Sequence, residues 1–138
     1  MIGESMNRYD HMVAKTYYIY ERYNVNATFA LLYHEMPLDV ETLGTFLRLS
    51  DHVINVDDHH YFIIFAFTTE ENAYKAAQNV LRHLDRYFKD QSSCIALDNF
   101  DIAKSPAIVL GRLKQILAAV RKHSFARIEN EAVLDGFM

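Results

Sequence analysis

The sequence predicts an α+β fold in which a central antiparallel sheet is packed with helices. Residues 48–67 read as two strands joined by a tight turn. Further short apolar runs at 27–33 and 92–97 read as strands, and amphipathic helical patterns alternate with them. A hairpin flanked by strand–helix units is typical of a ferredoxin-like sheet with helices on one or both faces.

The hairpin carries the strongest pattern in the chain. Residues 53–56 form a β-favouring run, and residues 61–67 are apolar throughout. Asp57-Asp58 suits the turn, because short Asp side chains tolerate unusual backbone angles and bond locally. An apolar run of this length indicates a strand buried on both faces, and it is too short to cross a membrane. We therefore expect the hairpin to lie centrally, in one sheet with residues 27–33.

Helices are predicted before and after the hairpin. Thr68-Thr69-Glu70-Glu71 is a capping-box pattern at the start of a helix. Asp39 is placed to cap a short helix after the first strand. The predicted helices lie within residues 6–23, over residues 39–49, from the capping box to about Phe88, and from Ser105-Pro106 onwards.

Composition limits the class of protein. At 138 residues, with 51% hydrophobic and 13% aromatic residues, the chain is neither disordered nor too small for a core. We expect one domain over residues 1–138, with an N-terminal helix within 1–23 and a tail over 130–138. A net charge of −4 argues against general attraction to nucleic acid or to an anionic membrane surface. The single Cys94 and the lack of a signal-peptide pattern lead us to expect a cytoplasmic protein.

Residues 48–61 carry a family resemblance. Arg48 and Asp51 form an RxxD pattern, five residues follow, and the next five read Asp57-Asp58-His59-His60-Tyr61. This order resembles the GGDEF domain, the diguanylate cyclase module of bacterial signalling, in which RxxD, five residues, the GGDEF box and an apolar strand follow one another. Residues 118–128 are similar to the family's closing segment of helix end, turn and last strand. The resemblance implies a nucleotidyl cyclase-like sandwich.

The departures from the family pattern imply that the cyclase activity is lost. In the family, paired glycines let phosphate approach the backbone and acidic residues hold the metals. Here only the aromatic end of the box, Tyr61, survives, and histidines replace the acidic pair. The first strand ends in His34-Glu35-Met36 where the family has a metal-binding acidic motif, and one carboxylate is a poor site for a hard cation. The segment between Glu35 and Arg48 also lacks the family's guanine-recognition helix.

We therefore predict no catalytic residue in the degenerate box, no metal, no cofactor and no enzymatic activity. The histidines of the turn raise the question of a zinc site. His59 and His60 are adjacent in a strand and point to opposite faces, so His34 would have to pair with one of them, and a solvated turn is the simpler interpretation. No Ser-His-Asp or Cys-His order in the sequence could be connected to the fold.

RxxD is the part of the pattern that is retained. In the family it is the inhibitory site for cyclic di-GMP, where the Arg grips phosphate or a guanine edge and the Asp accepts guanine N–H groups. The resemblance implies that Arg48 and Asp51 bind this ligand. A second Arg usually comes from the next long helix; Arg82 lies near that position and Lys75 is an alternative. The opposing interpretation is a surface Arg beside an Asp that caps the chain.

Two functional classes remain open from the sequence. One is a cyclic di-GMP receptor that uses Arg48, Asp51 and Arg82. The other is a protein-interaction or dimerisation module with no nucleotide ligand. Five tyrosines between Tyr9 and Tyr23 fit a half-buried helix face with solvated hydroxyls. The alternative is a contact with a protein partner or in a homodimer, because a broad aromatic stripe often marks an interface.

Overall fold

One sheet with the order β2-β3-β1-β4-β5 forms the centre of the described structure. This computed structural model describes residues 11–19, 22, 26–99, 108–123 and 127–130. Neighbouring strands are antiparallel except β4 and β5, which are parallel. The strands are β1 Ala27–Tyr33, β2 His52–Asn55, β3 His60–Ala66, β4 Cys94–Asn99 and β5 Ile128–Glu129.

Four helices in the described ranges cover both faces of this sheet. Asp39 caps α2 by accepting a hydrogen bond from the Thr42 N–H, and Thr69 caps α3 in the same way through Asn72. The left-handed backbone of Lys89 ends α3. The helices are α1 (residues 11–19, the described part of the first helix), α2 Val40–Gly44, α3 Glu70–Phe88 and α4 Val109–His123.

The core consists of two apolar layers, one on each face of the sheet. Because successive side chains of a strand point to opposite faces, β1 contributes to both layers. Phe29 and Leu31 pack with residues of α1 and α4, whereas Ala30 and Leu32 pack with residues of α2 and α3. This double burial explains why the sequence of β1 is apolar almost throughout.

The predicted fold class is confirmed: an α+β sandwich with a mainly antiparallel sheet and helices on both faces. The predicted bounds of β1 are confirmed to the residue, and α3 ends at Phe88 as expected. No helix in the described part of the chain is long and apolar enough to cross a bilayer.

The expected central hairpin is only half correct. β3 pairs with β1 and lies inside the sheet, but β2 pairs only with β3 and is an edge strand. Both hairpin strands begin one residue earlier than predicted. Phe67 does not continue β3, because its backbone turns to a φ of 54° and its side chain is 67% exposed.

Two other bounds differ from the prediction for local reasons. α2 ends at Gly44 rather than near residue 49, because the Thr45 N–H and hydroxyl both turn back to the Thr42 carbonyl. β4 begins at Cys94 rather than at Ser92, whose hydroxyl and N–H are instead held by Asp90. The predicted Ser105-Pro106 helix start and the tail beyond residue 130 lie outside the described residues.

We predict that Phe29→Ala lowers the free energy of unfolding by about 3–5 kcal/mol, as deletion of a fully buried Phe side chain usually does. Phe29 is 1% exposed and its ring stacks between Tyr17 and Phe62, at centroid distances of 6.1 and 5.7 Å. Leu49→Ala is the control, because Leu49 is fully exposed and should show no measurable change. Equal losses for the two variants in urea denaturation would contradict the described core.

Candidate functional site

The sheet brings the end of β1 against the β2–β3 turn. Tyr33 pairs with His60, and the N–H of His34 donates to the carbonyl of His59 at 3.0 Å. The Nδ1 of His59 donates back to the His34 carbonyl at 3.2 Å. The segment His34-Glu35 and the box that begins at Asp57 therefore meet in one place.

Asp57 organises the turn itself. One of its carboxylate oxygens accepts hydrogen bonds from the His59 N–H and from the Nδ1 of His60, both at 2.8 Å. Partial burial alone would raise the pKa of Asp57, but these donors outweigh it and lower that pKa below its usual value. The Asp57 carboxylate thus serves the turn, while the neighbouring Asp58 is exposed.

Tyr61 links the hairpin to the segment that follows β1. Its side chain is 1% exposed, its hydroxyl donates to the Leu38 carbonyl, and the Leu38 N–H donates back to the hydroxyl at 2.8 Å. Burial raises the pKa of this phenol above its usual value. The one box residue that keeps its family type therefore has an internal structural role.

His34 lies at the centre of a cluster that the sequence did not reveal. Its buried ring shares a hydrogen bond between Nδ1 and the Ser93 hydroxyl, stacks on Phe88 at 3.9 Å, and has its Nε2 4.0 Å from the Asp90 carboxylate. Burial lowers the pKa of His34 below 6.5. Ser93 is only 1% exposed, so no substrate reaches its hydroxyl and this Ser-His-Asp arrangement is structural.

Pairing between β1 and β4 creates the cluster. Tyr33 pairs with Cys94, so His34, the next residue after β1, faces the residues just before β4. The separation of 59 residues between His34 and Ser93 carries no local signal. Only a correct prediction of which strand neighbours β1 could have identified it.

The described side chains do not assemble a metal site here. No group of three or more His, Cys, Asp or Glu residues in the described ranges could hold a metal ion. The zinc pairing considered from the sequence is not formed, because the His34 ring packs on Phe88 while His60 lies beside Tyr33. Cys94 is buried, which raises the pKa of its thiol to about 11 and leaves it a poor nucleophile.

Arg48 and Asp51 meet each other directly. The Arg48 guanidinium donates to both Asp51 oxygens, at 2.7 and 3.1 Å, and the Arg48 backbone N–H donates to the same carboxylate at 3.0 Å. The guanidinium also contacts the Ala66 carbonyl and the Thr68 hydroxyl, at 3.2 and 2.6 Å. The Arg48–Asp51 pair therefore links the segment that follows α2 to the end of β3.

The two partners of this ion pair differ in exposure. The Asp51 side chain is 1% exposed, whereas the Arg48 side chain is 51% exposed. The hydrogen bond to Asp51 raises the pKa of Arg48 above its usual value. Asp51 thus has the capping geometry of the opposing interpretation, and Arg48 still presents half of its side chain to solvent.

The described contacts do not bring Arg82 to this pair. Arg82 donates to Asn79 at 2.9 Å and lines a hollow of about 400 Å³ between α3 and β5, together with Arg127. Lys75 lines an adjoining hollow of about 440 Å³ on the same side of α3. Participation of Arg82 or Lys75 in a ligand site with Arg48 stays a prediction.

Comparison with solved structures identifies the architecture. The GGDEF domain of DgcB from Caulobacter crescentus, solved in complex with c-di-GMP, has a TM-score of 0.71 and 10% identity, with 89% of this chain and 88% of that chain covered. This chain has the GGDEF-domain fold. The GGDEF domain of PA1120 (TpbB or YfiN) from Pseudomonas aeruginosa has a TM-score of 0.72 and 9% identity, with 95% and 91% covered.

A further solved structure of similar fold contains a bound protein. The diguanylate cyclase SiaD from Pseudomonas aeruginosa, in complex with its activator SiaC, has a TM-score of 0.69 and 10% identity, and the match covers 86% of this chain and 55% of that one. No protein-family model and no curated protein matches the sequence. The recognition of a GGDEF-like domain therefore agrees with the fold.

We predict that Asp51→Ala lowers the free energy of unfolding by about 1.5–3 kcal/mol, because it removes hydrogen bonds between a buried carboxylate and a charged group. Asp58→Ala is the matched control, because Asp58 is exposed on the turn and should change nothing measurable. Urea denaturation of both variants is the measurement. Indistinguishable urea midpoints for the two variants would show that the Arg48–Asp51 ion pair does not stabilise the fold.

Proposed function

We propose that this GGDEF-like domain is a non-catalytic signalling module that acts through protein contacts. Its RxxD pair then serves as an internal structural ion pair and not as a ligand site. The proposal rests on the side chains where β1 meets the hairpin turn, because these side chains form hydrogen bonds within the domain. Asp57 is bound by His59 and His60, and Tyr61 is bound by Leu38. These groups already have partners within the domain.

The chemistry of nucleotidyl transfer supports the loss of catalysis. Such reactions need carboxylates that converge on metal ions, which activate the attacking hydroxyl and neutralise phosphate charge. At this junction β1 is followed by a buried His34 and an exposed Glu35. The turn presents Asp57 and Asp58, whose negative charges would repel a triphosphate and whose Cβ atoms occupy the place of the family's glycines.

A protein contact is the mode of action that we propose first. SiaD, which shares this fold, has been solved with a protein activator. In α1, Tyr17 packs into the core at 6% exposure, so only part of the tyrosine stripe is available to a partner. Tyr18 is 66% exposed and is the described tyrosine of that helix that a partner or a second copy would reach. Tyr9, Tyr20 and Tyr23 lie outside the described residues.

Cyclic di-GMP binding is the second candidate function, and one observation favours it. The Arg48 side chain is half exposed, and the described hydrogen bonds of its guanidinium use Nε and Nη2 but not Nη1. A phosphate could approach that free edge while Asp51 holds the guanidinium in place. Acceptance of guanine N–H groups by Asp51 would require the carboxylate to leave Arg48, which makes this candidate the weaker one.

We expect no cyclic di-GMP from GTP when the purified chain is incubated with Mg²⁺ or Mn²⁺ and the products are separated by chromatography. The physical reason is the lack of converging carboxylates at the junction of β1 and the turn. An active diguanylate cyclase assayed in parallel serves as the positive control. Steady product formation that disappears in Glu35→Ala would contradict the proposal.

Calorimetry with cyclic di-GMP separates the two candidate functions. If RxxD is only a structural ion pair, no heat of binding is expected at ligand concentrations of several hundred micromolar. The receptor account predicts micromolar binding that Arg48→Ala abolishes and Asp51→Asn weakens about ten- to a hundredfold, the loss of one charge-assisted bond. Arg82→Ala should also weaken it if α3 contributes. Saturable heat that depends on Arg48 would overturn the first account in favour of the second.

A further inference from the structure

His34 joins three separate segments of the domain. Its backbone N–H and carbonyl are both bonded to His59 in the β2–β3 turn. Its ring stacks on Phe88, the last residue of α3, and shares a hydrogen bond with Ser93 just before β4. A change in the charge of this ring would therefore act directly on three segments: the hairpin turn, the end of α3 and the α3–β4 loop.

One nitrogen of this buried ring is unsatisfied. The side chain of His34 is 0% exposed, and its Nε2 has no hydrogen-bond partner among the described residues. The nearest carboxylate oxygen belongs to Asp90, at 4.0 Å, which is too far for a hydrogen bond. A buried nitrogen without a hydrogen-bond partner costs stability, and an acceptor that came within reach of an Nε2–H would remove that cost.

Asp90 can move to become that partner. Its side chain is 38% exposed, and it follows Lys89, whose left-handed backbone ends α3. One of its oxygens accepts from the Ser92 N–H and hydroxyl, both at 3.2 Å. A charge-assisted bond to an imidazolium is about 2.8 Å long, so the carboxylate would have to approach Nε2 by roughly 1 Å.

We propose that His34 and Asp90 form a proton-operated latch, in which protonation of His34 draws the α3–β4 loop onto the end of β1 and shifts the hairpin turn. In the neutral state the Asp90 carboxylate lies 4.0 Å from the Nε2 of His34, as observed. In the protonated state Nδ1 and Nε2 are both donors, so Ser93 must accept at one side of the ring while Asp90 accepts at the other. The latch is independent of any nucleotide ligand and goes beyond the proposed function.

Charged groups from every neighbouring segment act on the ring. Asp90 in the loop, Glu35 after β1 and Asp85 on α3 favour the imidazolium, whereas Arg127 before β5 opposes it. His59 in the turn bonds to the His34 carbonyl through its Nδ1 and is the histidine nearest to the latch in the turn. Arg127 is itself paired with Asp85 and donates to the Ser93 carbonyl at 2.9 Å, so the charge beside the ring is partly balanced.

The direction of the pH dependence follows from burial. Burial is the largest influence on His34 and lowers its pKa below 6.5, so the fold favours the neutral ring. The unfolded chain then binds the proton more tightly, and the free energy of unfolding falls as the pH drops below about 6.5. The bond to Asp90 limits this loss, because it stabilises the imidazolium in the fold.

NMR titration of the whole chain between pH 8 and 4.5 tests the latch. The imidazole of His34, assigned by its disappearance in His34→Gln, should titrate with a midpoint below 6.5. The backbone amides of Asp90, Ser92 and His59 should shift with that same midpoint. These shifts should be lost in His34→Gln and retained in His60→Gln, which removes a neighbouring histidine of the turn but leaves the latch.

Asp90→Asn is the decisive variant, because it changes a partly exposed loop residue and does not depend on the fold tolerating a new residue at position 34. It should lower the His34 midpoint, because it removes the negative charge nearest to Nε2, and abolish the coupled shift of Ser92. An unchanged midpoint in Asp90→Asn would overturn the latch. Loop amides that do not follow His34, or that still titrate in His34→Gln, would overturn it as well.

Discussion

The position of β1 between β3 and β4 is the constraint on which the other features depend. β1 is hydrogen-bonded along both edges and buried on both faces. A slip of its register by one residue would move every side chain to the opposite face and disrupt the packing of both apolar layers. That register sets Tyr33 opposite both His60 and Cys94. The hairpin turn and the α3–β4 loop are thereby brought to the same end of β1, where His34 bonds to each of them.

The RxxD pair illustrates how one spacing supports two interpretations. Residues three apart at a helix end and turn can reach each other, and Arg48 and Asp51 form a bidentate ion pair whose carboxylate is fully buried. A buried carboxylate is costly to leave without partners, so Asp51 holds Arg48 firmly. The exposed half of Arg48 still has the chemistry for an anion. The same spacing therefore fits both the internal ion pair described here and the ligand site that the family resemblance implies.

The sequence predicts the parts of the fold that are set by local pattern. The apolar runs of β1 and β3 and the Thr69 cap of α3 act over a few residues, and each is found where the pattern placed it or within one residue. The edge position of β2 and the left-handed turn at Phe67 depend on tertiary packing and carry no comparable signal. For the candidate site, the RxxD spacing is visible in the sequence, but the direct ion pair between Arg48 and Asp51 is not among the predictions made from it. The meeting of His34 with Asp90 and Ser93 depends on strand order.

We have proposed that this domain has the GGDEF fold without catalysis, because side chains at the junction of β1 and the turn bond within the domain instead of holding metal ions. Paramagnetic Mn²⁺, added at substoichiometric concentration with GTP, tests this directly through the broadening of assigned amide resonances. The account predicts that the amides of Glu35, Asp57 and Asp58 broaden no more than that of Glu41, an exposed acidic residue on α2. Selective broadening at the β1 end and the turn, strengthened by GTP, would contradict it.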